Sequence, residues 1–343
     1  MKITVSSKVS ANLNLQVPDT LPRSAGNPGL LSLQWHEVGL ADIAKRAPLH
    51  PLAWSRVARC GIHLSIKRED LLDPKLGGNK FYKLHGHLKH LRTLDSTRPV
   101  ASLGGAWSNH LYALAAACEK LNLSCVGVIR GEKPAALSQT LVDVERMGMR
   151  LVFISRQDYR RRNEPSLLRE LEARIGPCHW IPEGGGGIVG ARGCKAMAEG
   201  ILALAPRPPD VICHAVGTGT SLAGIASVLK PCMTALGIVV LKGADQLELD
   251  THALVKRLGG SAGKWQLNHQ YHCGGYARTP DYLLEFIKEF ELETGILLDP
   301  VYTAKLLWAI TCLAESGNWP AGTHVVAVHS GGLQGRRGYN LNP

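Results

Sequence analysis

No two cysteines are spaced C-x-x-C, although the chain carries nine of them (Cys60, Cys118, Cys125, Cys178, Cys194, Cys213, Cys232, Cys273 and Cys312). Thiols scattered in this way suit a reducing compartment and form neither a disulfide frame nor a paired metal site. No apolar run is long enough to span a bilayer, and the opening MKITVSSKVSANLNLQ has neither the apolar stretch nor the cleavage site of an export signal. The expectation is a cytoplasmic protein with no membrane partner. Nucleic-acid motifs are missing too. A net charge of +11 could serve such a partner, yet Arg160-Arg161-Arg162 is the only tight basic run. A solvated basic surface that draws in anionic ligands is expected; the rival, a nucleic-acid binder, predicts strongly salt-dependent affinity. The NHQYHC stretch, which includes His269 to Cys273, has no carboxylate or second cluster at metal spacing, so no metal is expected. His85, His87 and His90 fall on one helical pattern and read as solvated or structural.

What the chain does have is room and alternation. At 343 residues, with 45% hydrophobic and 20% charged, it can bury a large core in two closely associated lobes. Residues 1–30 are polar and punctuated by Pro and Gly, and read as an arm. Beyond them strand-like runs alternate with helical patterns. Val100 to Leu103 ends at Gly104-Gly105, and Asn109 to Leu121 reads as an Ala-rich helix. Cys125 to Ile129 is followed by a helix around Ala135 to Met147, then by a strand over Leu151 to Ile154. Val211 to Val216 leads into Gly217-Thr218-Gly219 and a helix through Ala223 to Leu229, and Val325 to Val328 stops at His329-Ser330-Gly331-Gly332. This order implies an α/β fold, parallel sheet with helices on both faces. Several strands stop at glycine-rich turns, where open α/β sheets place ligands.

Three of those turns carry chemistry. EGGGGIVGARG (Glu183 to Gly193) has the look of a dinucleotide fingerprint, but it follows no good strand and no acidic residue closes a short βαβ unit behind it, which argues against a dehydrogenase. VGTGTSLAGIASVL is better placed. There a strand runs directly into Gly217, Thr218, Gly219, Thr220 and Ser221, whose amides and hydroxyls suit a phosphate dianion. It lacks the lysine of a nucleotide P-loop, so one phosphate on a small cofactor fits better than a triphosphate. In GGNKFYKL, Lys80 follows Gly77-Gly78-Asn79 at the first turn of a helix. The helix dipole and partial burial both disfavour its charged form, leaving an amine able to condense with an aldehyde. In GGAWSNH, Ser108 and Asn109 open another helix, either capping it or pointing into a ligand pocket.

Taken together, IKREDL, GGNKFYKL, GGAWSNH, PEGG, GTGTSLAG, GGYA, LDPVYTAK and HSGG occur in the order in which they occur in one family. From about Leu40 to Gly332 the sequence resembles the 1-aminocyclopropane-1-carboxylate (ACC) deaminase/D-cysteine desulfhydrase family of pyridoxal-phosphate enzymes. The resemblance implies a fold of the tryptophan synthase β-subunit type (PLP fold type II): two open, twisted, mostly parallel α/β lobes with the cofactor between them. Residues 84–182 would form the smaller lobe; 31–83 and 183–343 would form the larger, cofactor-binding one. The family commonly forms homodimers.

The resemblance also implies roles. Lys80 would bind the aldehyde of pyridoxal 5'-phosphate, beside Asn79. Lys83 and Gly217 to Ser221 would hold the phosphate, Asn109 would bond the phenolic oxygen, and Ser108 would meet the substrate. Tyr302 and Tyr276 would be active-site tyrosines. Thr303 stands where ACC deaminases typically carry a glutamate near the pyridine nitrogen. A neutral hydroxyl there makes the ring a weaker electron sink, which suffices for a good leaving group such as thiolate. The implied activity is therefore α,β-elimination from a small amino acid, most like D-cysteine desulfhydrase. ACC deaminase is the close alternative, and a cofactor-binding protein with little catalysis is the third. Trp107 replaces the usual glutamine and Leu111-Tyr112 departs from the usual pattern; both changes are expected beside the substrate pocket.

Overall fold

The computed structural model describes residues 39–91, 97–339 and 341; the arm expected over residues 1–30 lies outside them. Among the described residues ten strands are formed: β1 (Leu49–Pro51), β2 (His63–Arg68), β3 (Val100–Gly104), β4 (Cys125–Arg130), β5 (Met149–Ile154), β6 (His179–Trp180), β7 (Val211–Val216), β8 (Thr234–Val239), β9 (Lys264–Asn268) and β10 (His324–His329). They make a six-stranded sheet in the order β1-β2-β10-β7-β8-β9 and a four-stranded sheet in the order β5-β4-β3-β6. Every pairing is parallel except that of β1 with β2. Strands covered on both faces read as unbroken apolar runs rather than alternations, and β3, β7 and β10 are buried along their whole lengths.

Alternation nonetheless sorts the side chains between layers. Val211, Cys213 and Ala215 of β7 face the helices Asp281–Thr294 and Thr303–Glu315, among Phe286, Phe290 and Leu306. Ile212 and Val216 face the opposite layer, with Leu84, Cys194 and Ala223 from the helices Asn79–Leu91, Gly187–Leu204 and Thr220–Ala226. The glycines that resembled a dinucleotide fingerprint serve this packing. A Cβ on Gly193 would lie 2.1 Å from the carbonyl oxygen of Tyr82, so a bare backbone there lets the Gly187 helix press against the helix that begins at Asn79.

That second helix is fastened from below by the IKRED stretch. Lys67 and Glu69 are completely buried and 3.3 Å apart, and Tyr82 donates its hydroxyl proton to the other oxygen of Glu69. The Lys67 ammonium also donates to the carbonyls of Ala44 and Ala47. A buried ion pair is sustained only when its remaining valences are met in this way. The result locks β2 to the helix Asn79–Leu91.

Several boundaries differ from the sequence expectations. Asn109–Leu121 and Val211–Val216 form as read. The helix expected around Ala135 to Met147 starts only at Gln139, because Ser138 accepts the amide of Leu141 and caps it there. The helix after the Gly217 loop spans Thr220–Ala226, stopping short of Leu229. Among the described residues no helix is long and apolar enough to cross a membrane.

Candidate active site

A cavity of about 310 Å³ opens where the carboxyl ends of β3, β4 and β7 face one another. Of the residues expected at the site, Asn79, Lys80, Lys83, Ser108, Asn109, Gly217, Thr218, Gly219, Ser221, Tyr276 and Tyr302 all line it. Two do not. Thr220 stands just behind, its hydroxyl 3.1 Å from that of Thr218. Thr303 is buried, and its hydroxyl accepts the amide of Asp299 at 2.7 Å while donating back to the Asp299 carbonyl. That local capping holds it off the cavity wall.

Lys80 is placed by the turn in front of it. Gly78 has φ +83°, and a Cβ on it would lie 2.0 Å from the carbonyl oxygen of Ser330, so only glycine fits this approach. The Gly78 amide bonds the carbonyl of Glu69, and the Asn79 amide that of Ser330. The Lys80 ammonium donates to Asn79 Oδ1 at 3.1 Å and lies 5.9 Å from the centre of the Tyr302 ring. Burial, then the like charge of Lys83, lowers its pKa to about 7. Asn79 in turn donates to Ser221 at 3.0 Å, joining the lysine to the Gly217–Ser221 loop.

Ser108 and Asn109 do both things the sequence allowed. The Ser108 hydroxyl accepts the amide of Leu111 and caps the helix, while both residues face the cavity. Asn109 Oδ1 accepts from Gln334 at 2.6 Å, which leaves its amide nitrogen as a donor. Tyr276 and Tyr302 meet edge to face with centroids 6.2 Å apart. Burial first, then Tyr276 and Asp299, keep the Tyr302 phenol protonated well above the ordinary tyrosine range. Asp299 accepts the amides of Val301 and Tyr302 on one oxygen. Burial raises its carboxyl to about 7 against those two bonds.

Other cavity residues were not anticipated. His110, Arg130, Tyr159, Arg162, Glu183 and His214 also line it. At the outer end Glu183 accepts from Tyr159 and, at 2.6 Å, from Arg162. The guanidinium groups of Arg130 and Arg162 lie 5.7 and 5.4 Å from the Tyr159 ring centre. Arg162 belongs to the run read as solvated surface; it is instead part of the cavity mouth. The available signal was position. Arg130 ends β4, and Tyr159 and Arg162 sit three residues apart soon after β5. Trp107 and Leu111 do not line the cavity as expected. Trp107 lies against Gly338, Leu111 is in the core, and Tyr112 borders a much smaller hollow behind Lys80.

A pyridoxal phosphate group suits these residues. A lysine with a pKa of about 7 faces the cavity, and among the described residues Lys83 has no carboxylate beside it and the amides of Gly217, Thr218 and Gly219 donate to no backbone carbonyl. Both nitrogens of buried His214 also lack a well-formed hydrogen bond there. Fold and site together define a pyridoxal-phosphate enzyme of fold type II. The sequence accordingly matches the family described as pyridoxal-phosphate dependent enzyme over residues 41–331, and the chain belongs to that family, within its ACC deaminase/D-cysteine desulfhydrase branch. It is 30% identical over 302 residues to a putative 1-aminocyclopropane-1-carboxylate deaminase of Pyrococcus abyssi, covering 82% of this chain and 88% of that one. It is 28% identical over 298 residues to a mitochondrial bifunctional D-cysteine desulfhydrase/1-aminocyclopropane-1-carboxylate deaminase of Arabidopsis thaliana, covering 80% and 73%. The crystal structure of an ACC deaminase homologue superposes with a TM-score of 0.72 at 25% identity, over 84% of this chain and 90% of that one.

Proposed function

We propose that the chain eliminates the β-substituent of a small amino acid and releases a 2-oxo acid and ammonia, with D-cysteine the substrate that suits the site best. Sulfide would be the leaving group and pyruvate the other product. One observation carries the choice over ACC. Among the described residues, the only carboxylate lining the cavity is Glu183, and it is already committed to Tyr159 and Arg162. No carboxylate on the cavity wall is left to protonate a pyridine ring, and Thr303, at the position that could have done so, is tied to Asp299. Bound pyridoxal phosphate supplies an aldehyde that links to amines and a ring that draws electrons from the adjacent carbon. With a neutral ring nitrogen that draw is modest. Expelling a thiolate fits it better than breaking a carbon–carbon bond.

The chain's own residues divide the remaining work. Lys80, near neutrality at pH 7, is suited to taking the α-proton. Tyr302 stays protonated and is suited to donating. The free amide nitrogen of Asn109 would hold the cofactor's phenolic oxygen, and the Ser108 hydroxyl would meet the substrate. Against the reading of a cofactor-binding protein with little catalysis, Trp107 packs against Gly338 and leaves the cavity open to a substrate.

The test is 2-oxo acid release from D-cysteine, L-cysteine, D-serine and ACC, with Lys80→Ala as control. Turnover of D-cysteine and none of ACC is expected, with Lys80→Ala inactive. Turnover of ACC at a comparable rate would refute the carboxylate argument. Turnover by Lys80→Ala would refute the assignment of the lysine.

A further inference from the structure

His214 lies within the apolar strand VICHAV and is 1% exposed, yet among the described residues neither ring nitrogen makes a well-formed hydrogen bond, the backbone of Ala215 being the one polar group that interacts with it. Alternation along β7 puts it on the face of Ile212 and Val216, toward the helix that carries Lys80 and Lys83, and it lines the cavity. Burial first, then Lys83 and Lys80, hold its pKa near 3, so the imidazole is neutral and has one N–H to give. Lys83 is 4% exposed, and the one group that opposes its loss of charge is the thiol of Cys194. An amine and an imidazole are thus buried at one wall with no carboxylate beside either and only the Ala215 backbone near the imidazole. Leaving such groups unmatched is costly.

The same end of the cavity has the features of a phosphate seat. A Cβ on Gly185 would lie 3.0 Å from Lys83 Cβ, and one on Gly184 would lie 3.5 Å from Thr218, so these segments enclose one volume. His214 precedes Gly217 by three residues on the strand that feeds the loop. On the wall formed by the smaller sheet, Arg130 comes within 3.9 Å of the Cβ position of Gly105.

We propose that His214 donates a hydrogen bond to the phosphate of the bound cofactor and forms, with Lys83, the inner wall of its seat. This rests on the reading of Lys80 and the Gly217–Ser221 loop given above. The missing acceptor is then an oxygen of the dianion, and the side chain that is unmatched in the apoprotein becomes a binding determinant in the holoenzyme.

The experiment compares pyridoxal phosphate with pyridoxal, which lacks the phosphate. Both are titrated into apoprotein by absorbance, for the wild type, His214→Leu and His214→Gln. Linkage to Lys80 is common to the two aldehydes and cancels in their ratio. Expected is a loss of pyridoxal phosphate affinity of about 10- to 100-fold in His214→Leu, the size of a hydrogen bond to a charged group. Pyridoxal affinity should stay unchanged, and His214→Gln, which keeps a donor, should recover part of the loss. Equal losses for both aldehydes, or none for either, would overturn the proposal. Apoprotein melting separates a structural role: His214→Leu should melt no lower than wild type, since it gives up no well-formed hydrogen bond and replaces a buried imidazole by an apolar side chain. A clearly lower melt in both variants would make His214 a structural residue and overturn the proposal. A lysine-linked absorbance band that persisted in Lys80→Ala would instead refute the Lys80 reading, and this proposal with it.

Discussion

Lys80 shows how far one residue can be understood from its neighbours. Two glycines clear its approach, and the buried Lys67–Glu69–Tyr82 cluster fixes the helix on which it sits. Its lowered pKa has a definite sign. The amine becomes neutral as pH rises through about 7, rather than through the usual lysine value of 10.5. The rate at which apoprotein captures pyridoxal phosphate should therefore climb with pH up to about 7 and then level off, as followed by stopped-flow absorbance. A rate still climbing near the ordinary lysine value would contradict the enclosure described here. Stability is linked in the same direction. Between pH about 7 and 10.5 the unfolded chain binds a proton that folded Lys80 does not. The penalty of burying it is full below that window and fades as pH rises across it. Lys80, Asn109 and the Gly217–Ser221 loop were legible because each sits in a compact motif. Arg130, Tyr159, Arg162 and His214 were not, because they are single residues that only the topology brings together. His214 left one trace, an ionisable side chain inside a wholly apolar strand.

At the scale of elements, strand cores could be read and helix ends could not. A continuous apolar run already states that both faces of a strand are covered, so β7 and β10 stood out. Helix starts depend on which hydroxyl takes the cap, and Ser138 took it three residues later than the helical pattern suggested. The glycines of Glu183 to Gly193 were legible as a turn but not as a packing surface. Their contact with the Lys80 helix yields a prediction. Gly193→Ala forces a methyl group against the Tyr82 carbonyl, where backbone must move, and should cost about 1–3 kcal/mol by overpacking. Because the displaced helix carries Lys80 and Lys83, cofactor affinity should fall along with the melting temperature. A lowered melt with unaltered cofactor binding would mean that the strain relaxes away from the site.

For the molecule as a whole, the α/β alternation announced parallel sheets, and two are present. How the C-terminal turn ties them was not legible, because its partners are single residues far apart in the chain. Within Leu333–Tyr339, Gln334 holds Asn109, Arg336 pairs with Glu291, and Arg337 pairs with Asp143. The turn thereby joins the Asp281–Thr294 helix, beside the larger sheet, to the Gln139–Arg146 helix, beside the smaller one. A chain ending at Ala321 lacks both this turn and β10. It should bind no cofactor, yet keep the four-stranded sheet as a protease-resistant core. Its complete digestion alongside the rest would show that the smaller sheet needs the larger.

The strand order carries a consequence for how the protein comes into being. β3 to β6 occupy one contiguous stretch, Val100 to Trp180, whereas β10 lies between β2 and β7 although it leaves the ribosome last of all the strands. Domains tend to fold as they are synthesised. The four-stranded sheet can assemble while translation continues. The six-stranded one must wait with a gap at its centre, its early strands unzipped until the final segment arrives. Cofactor loading is in this sense a post-translational event, timed by the position of one strand in the gene.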